Sequence, residues 1–127
     1  MTDQQQLQNL RTTDKDGLLT YEYIANNIGE CDEALPELAD ILRQVDFSGQ
    51  FTASAARFLN AIDATRYADT VRTLVAATID RDRDRAYLPD LMQSIYGEDY
   101  AAHAAELSAS DNNFRRIYKR LYPESPI

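Results

Sequence analysis

A short acidic turn, repeated between helical stretches, constrains this chain more than any other feature. Leu38, Ile41, Leu42 and Val45 recur at spacings of three and four, as do Phe51, Ala55, Phe58, Leu59 and Ile62. Each set therefore marks one face of an amphipathic helix. Between them, Asp46-Phe47-Ser48-Gly49-Gln50 supplies the Asp, Ser and Gly that bend a backbone. The order Asp-x-Ser-Gly-x-Phe-Thr returns as Asp14-Lys15-Asp16-Gly17-Leu18-Leu19-Thr20. With arginine in the glycine's place it returns again as Asp82-Arg83-Asp84-Arg85-Ala86-Tyr87-Leu88. A chain assembled from such units is expected to fold as successive helical hairpins.

Four glycines, four prolines and few alternating apolar and polar runs leave little room for a sheet, so the fold class is all-α. Helices are expected over residues 4–11, 20–29, 35–45, 52–62, 88–96 and 99–107. A longer one ends near Asp80 and carries Tyr67, Val71, Leu74, Val75 and Ile79, and a last one lies beyond Ser110. Thr20 can cap the second, and Gly29 and Gly97 are placed as left-handed stops. Pro36 is tolerable because the first helical turn has no hydrogen bond to lose. The eight helices pair into four helix-turn-helix units with turns near residues 14, 46, 82 and 110. The fourth, Ser110-Asp111-Asn112-Asn113-Phe114, is expected to serve as a helix cap. The alternating charges of residues 80–85 are expected to form a solvated face or linker.

A chain of 127 residues can form one compact domain or two very small lobes. The formal charge of −8 disfavours a general polyanion binder and favours basic partners. Cys31 has no second cysteine to pair with, which suits a reducing compartment. The start, Met1-Thr2-Asp3-Gln4-Gln5-Gln6, lacks a secretory pattern, and no run is long and apolar enough for a membrane span. A soluble cytoplasmic protein is expected.

The recurring turn resembles the EF-hand loop, in which carboxylates at early positions bind calcium and an apolar eighth position joins paired loops. Asn27-Ile28-Gly29-Glu30 and Ile95-Tyr96-Gly97-Glu98 stand where the calmodulin family ends an exiting helix. The resemblance implies four degenerate hands: residues 1–63 as an amino-terminal pair and 64–127 as a carboxy-terminal pair, or both within one compact domain. Leu19 and Phe51 would then bridge through their main chains. The sequence departs from the family where the bidentate glutamate belongs, at Tyr23, Ala55 and Leu91, which removes calcium from the first two loops. The loop starting at Asp80, with Asp82 and Asp84, is the one calcium candidate, although Arg85 occupies its glycine position; no other cofactor is expected.

EF-hand proteins that have lost calcium still grip helices, as myosin light chains do. The resemblance thus implies a calmodulin-like, light-chain-like subunit that binds an amphipathic basic helix of a larger protein, such as a myosin-type neck, without needing calcium. Candidate groove residues are Ile24, Ile28, Phe58, Ile62, Met92, Ile95, Phe114, Ile117 and Leu121, each of which can equally belong to the core. The alternative is a small all-helical scaffold or adaptor, either a bundle or a helical repeat, with no EF-hand ancestry. Its best patch is Arg115, Arg116, Lys119 and Arg120, which could touch nucleic acid or an anionic membrane and which a solvated surface paired with the acidic body also explains; nucleic-acid binding is not expected. His103, flanked by alanines, and Cys31 have no catalytic constellation beside them by spacing, so no enzyme is expected.

Overall fold

The computed structural model describes residues 3–126, so Met1 and Thr2 of the amino-terminal reading, and Ile127, lie outside the described residues. Among the described residues there are eight α-helices and no strand. They are α1 (Gln4–Thr13), α2 (Leu18–Asn26), α3 (Leu35–Val45), α4 (Gln50–Asp63), α5 (Ala68–Arg81), α6 (Leu88–Tyr96), α7 (Ala104–Ser110) and α8 (Asn112–Leu121). Short 3₁₀ turns at Asp32–Ala34 and Tyr100–His103 precede α3 and α7. The chain is all-α, as its periodicity requires. Gly97 caps the end of α6 with φ +96°, whereas α2 ends at Asn26, before the expected stop, and Gly29, at φ +86°, lies in the turn beyond it.

The helices stack in two layers. One layer runs α1 on α3, α3 on α5 and α5 on α8; the other runs α2 on α4, α4 on α6 and α6 on α8. Within the stack α4 lies against α5, so the second and third hairpins are in contact. Apolar residues from both layers form one buried cluster that extends from Leu7 in α1 to Ile117 in α8. Ala53, Ala55 and Ala56 give α4 a buried face of small side chains, which lets neighbouring helices approach closely.

Each hairpin turns on an aspartate that serves two helices. The main-chain N–H of Asp14, Asp46, Asp82 and Asp111 donates to the carbonyl four residues back, at 3.0, 2.9, 2.8 and 2.8 Å, closing α1, α3, α5 and α7. The side chain of the same residue then accepts from amides in the first turn of the following helix. One residue thereby satisfies orphan donors of the next helix while ending the previous one. Helix α2 starts at Leu18, two residues earlier than Thr20 implied, because the cap comes from Asp14. The Thr20 hydroxyl is buried and donates to Asp14 Oδ2 at 2.6 Å.

Candidate functional site

The first three turns lie side by side along one edge of the stack. A methyl group at Gly17 would come within 3.0 Å of Phe51 Cβ and 3.3 Å of Asp46 Cβ, so turn one rests directly on turn two. A methyl at Gly49 would come within 3.3 Å of Asp82, so turn two rests on turn three. The hydroxyls of Thr52 and Thr78 share a 2.8 Å hydrogen bond across that second junction. Gly17, Gly49 and Arg85 occupy the same place in the three turns, with φ of +105°, +88° and +57°. Leu19 and Phe51 sit inside helices α2 and α4 rather than in strands.

The turn carboxylates are occupied by the protein itself. Asp46 is buried, and its two oxygens accept from the amides of Ser48, Gly49, Phe51 and Thr52 at 2.8–3.1 Å. Asp82, also buried, accepts from Ala86, Tyr87 and Leu88 at 2.8–2.9 Å. Burial alone would raise the pKa of Asp14. The Thr20 hydroxyl and the amides of Thr20, Gly17 and Asp16 outweigh that and hold it below the ordinary carboxylate value. Of the calcium candidates, Asp80 is exposed and paired with Arg116 at 2.8 Å, Asp82 points into its own turn, and Asp84 is exposed. Among the described residues no three His, Cys, Asp or Glu side chains cluster closely enough to hold a metal ion.

The nine apolar groove candidates are divided between core and surface. Ile24, Met92, Phe114 and Ile117 are fully buried, whereas Ile28, Phe58, Ile95 and Leu121 are half-buried at the margin of the core. Ile62 is 52 % exposed. Phe58 and Ile62, one helical turn apart on α4, share a face beside Tyr21 of α2, whose ring meets Phe58 edge-on at 6.5 Å. Leu18 and Leu19 add exposed apolar surface at the start of α2. Arg57 joins α4 to α6 by donating to Ser94 Oγ at 3.0 Å. Sequence periodicity could place these residues on helices. It could not tell which helix faces a neighbour would cover.

The four basic residues of α8 also have different roles. Arg120 donates to the carbonyls of Ile79, Asp82 and Arg83 at 2.6, 2.8 and 3.2 Å, capping the open end of α5. Arg116 pairs with Asp80, while Arg115 and Lys119 are exposed. Arg85 reaches back to the carbonyl of Arg120 at 3.2 Å, so turn three and α8 hold each other. Residues 80–85 are therefore a helix end and a packed turn rather than a linker.

Cys31 and His103 stand in different surroundings. Cys31 is buried, and burial followed by the adjacent Asp32 charge pushes its thiol pKa up, away from a reactive thiolate. Asp32 is engaged by the Tyr67 hydroxyl at 2.9 Å and by Arg66. His103 stands exposed, 3.3 Å from Asp99. No helix is long and apolar enough to cross a membrane among the described residues. Comparison of the chain with protein-family models, curated proteins and solved structures finds no match.

Proposed function

We propose that this chain is a non-enzymatic binding subunit of the cytoplasm, built as a scaffold of stacked helical hairpins, that holds a basic amphipathic helix of a larger protein without calcium. The observation that carries this reading is the use of the turn carboxylates. They act as helix caps, so the turns serve the scaffold and the helix faces are left as the binding surface. The face formed by Tyr21, Phe58 and Ile62 offers apolar anchors at the surface of a protein of net charge −8. Apolar anchors in a groove supply affinity, and acidic surroundings steer a basic partner.

The test is anisotropy of a labelled Lys- and Leu-rich amphipathic helix titrated with the protein. Binding at about micromolar Kd is expected, equal in calcium and in chelator, and weakened by salt. Phe58→Glu with Ile62→Glu is expected to weaken it at least about tenfold. Binding no better than that of an acidic control peptide, or binding that appears only with calcium, would overturn the reading.

Descent from the calmodulin and light-chain family is a second reading. It is favoured by the contact of turn one on turn two, since paired hands require their loops to be adjacent. The similar contact of turn two on turn three favours a continuous helical repeat instead. A calcium titration followed by tyrosine fluorescence separates the two lineages if the loop starting at Asp80 binds.

A further inference from the structure

The fold gathers two separate stretches of sequence into one cationic pole. Arg83 and Arg85 of turn three and the four cations of residues 115–120 meet where α8 crosses the turn, through Arg85 on Arg120 and Arg120 on the carbonyls of the turn; Arg81 reaches the Arg43 carbonyl of α3 instead. Six of the thirteen Lys and Arg residues thus stand with three carboxylates, Asp80, Asp82 and Asp84, leaving seven cations against eighteen carboxylates elsewhere. The opposite end of the stack has the reverse charge. Residues 3–40 carry nine carboxylates against Arg11 and Lys15. There Glu30, Glu33 and Glu37 line a cleft of about 180 Å³ beside Gln4 and Leu7 of α1. Because α1 and α8 terminate the same layer, the two poles lie at its opposite ends.

We propose that the cationic pole docks on the acidic α1 end of a second copy, so that copies of this chain associate head to tail. Charge complementarity carries the choice of partner, since both halves of the contact are present on one molecule. A nucleic acid is the poorer match. Carboxylates alternate with the arginines of residues 80–85, and the net charge of −8 repels an extended polyanion. At about 0.15 M ionic strength charges are screened beyond roughly 8 Å, so facing patches outweigh the net repulsion between copies. Exposed Tyr122, two residues after Arg120, adds apolar area at the rim of the cationic pole. A contact between unlike ends is heterologous and extends into rings or open chains.

The experiment is sedimentation velocity over a wide concentration range, on wild type and on two doubly reversed variants. One is Arg83→Glu with Lys119→Glu; the other is Glu30→Lys with Glu33→Lys. These are exposed surface positions, and circular dichroism confirms that each variant folds. The wild type is expected to grow in mass with concentration and to revert to monomer in about 1 M salt, where the screening length falls to about 3 Å. Each variant alone is expected to lose association roughly a hundredfold, and an equimolar mixture of the two to regain it as a one-to-one complex. A wild type that stays monomeric throughout overturns the proposal. So does unchanged association of either variant, or a mixture that fails to recover. Monomeric wild type that binds an oligonucleotide through Arg83 and Lys119 would overturn it too, and would assign the pole to nucleic acid.

Discussion

At turn two the Asp46 carboxylate accepts from four amides and from the Ser48 hydroxyl, and Gly49 takes the left-handed position. At turn three Asp82 accepts from three amides, and the left-handed position belongs to Arg85. A left-handed conformation costs a residue with a side chain about 1 kcal/mol or more, so turn three begins at a disadvantage. Its compensation comes from outside the turn: Arg120 supplies donors to its carbonyls, and Arg85 is anchored on α8. Turn two is held from within and turn three by a helix some 35 residues downstream. The two also border a cleft of about 450 Å³, lined by Phe47, Ser48 and Tyr87, where the row of turns is less tightly closed.

The largest expected effect comes from removing the inner brace. Asp46→Ala leaves several buried amides without acceptors, and urea unfolding is expected to show a loss of about 3–4 kcal/mol. A loss under about 1 kcal/mol would mean that water or a rearranged turn replaces the carboxylate. Next comes Gly17→Ala, which combines a φ of +105° with a contact of 3.0 Å to Phe51. About 2–3 kcal/mol is expected there. Arg120→Met tests the outer brace. A loss of about 2 kcal/mol is expected, with amide exchange accelerated in residues 82–88 and hardly changed in residues 46–52. Uniform acceleration of both turns would erase the distinction between them.

Arg85→Gly is expected to fall within about 1 kcal/mol of wild type, since relief of the left-handed strain offsets the lost contact to Arg120. The smallest expected effect is a change in acid sensitivity. The pKa of Asp14 is lower in the folded protein than in the unfolded chain, so its ionised form stabilises the fold above the ordinary carboxylate pKa. That contribution is lost as pH falls through the folded value. Asp14→Asn is therefore expected to flatten the dependence of stability on pH below about 4, and an unchanged acid limb would contradict the assignment.

Much of this architecture can be read in the residues themselves. Periodicity places α3 and α6 at about residues 35–45 and 88–96, in agreement with the observed Leu35–Val45 and Leu88–Tyr96, because Pro36 marks the start of one and Gly97 the end of the other. The carbonyl-capping role of Arg120 was not legible, because it depends on a contact across 41 residues with Ile79. The direction of each turn aspartate was also hidden. A pattern of Asp, polar and Gly residues is the same whether the carboxylate faces a cation or curls back onto the amides of the next helix. Burial decides between them, and burial is a property of the stack. For the same reason the apolar positions of α8 were equally consistent with groove and core; Phe114 and Ile117 are covered by α5 and α6.

The double duty of the turn aspartates also governs how such a chain can change in length. Asp14, Asp46 and Asp82 stand 32 and 36 residues apart, and each fixes where one helix stops and the next begins. An insertion inside a turn would separate the stop from the start and disturb two helices at once. Addition or loss of a whole block between successive aspartates would leave every joint intact. The molecule is therefore free to lengthen or shorten by complete hairpins, and resistant to change by single residues at its corners.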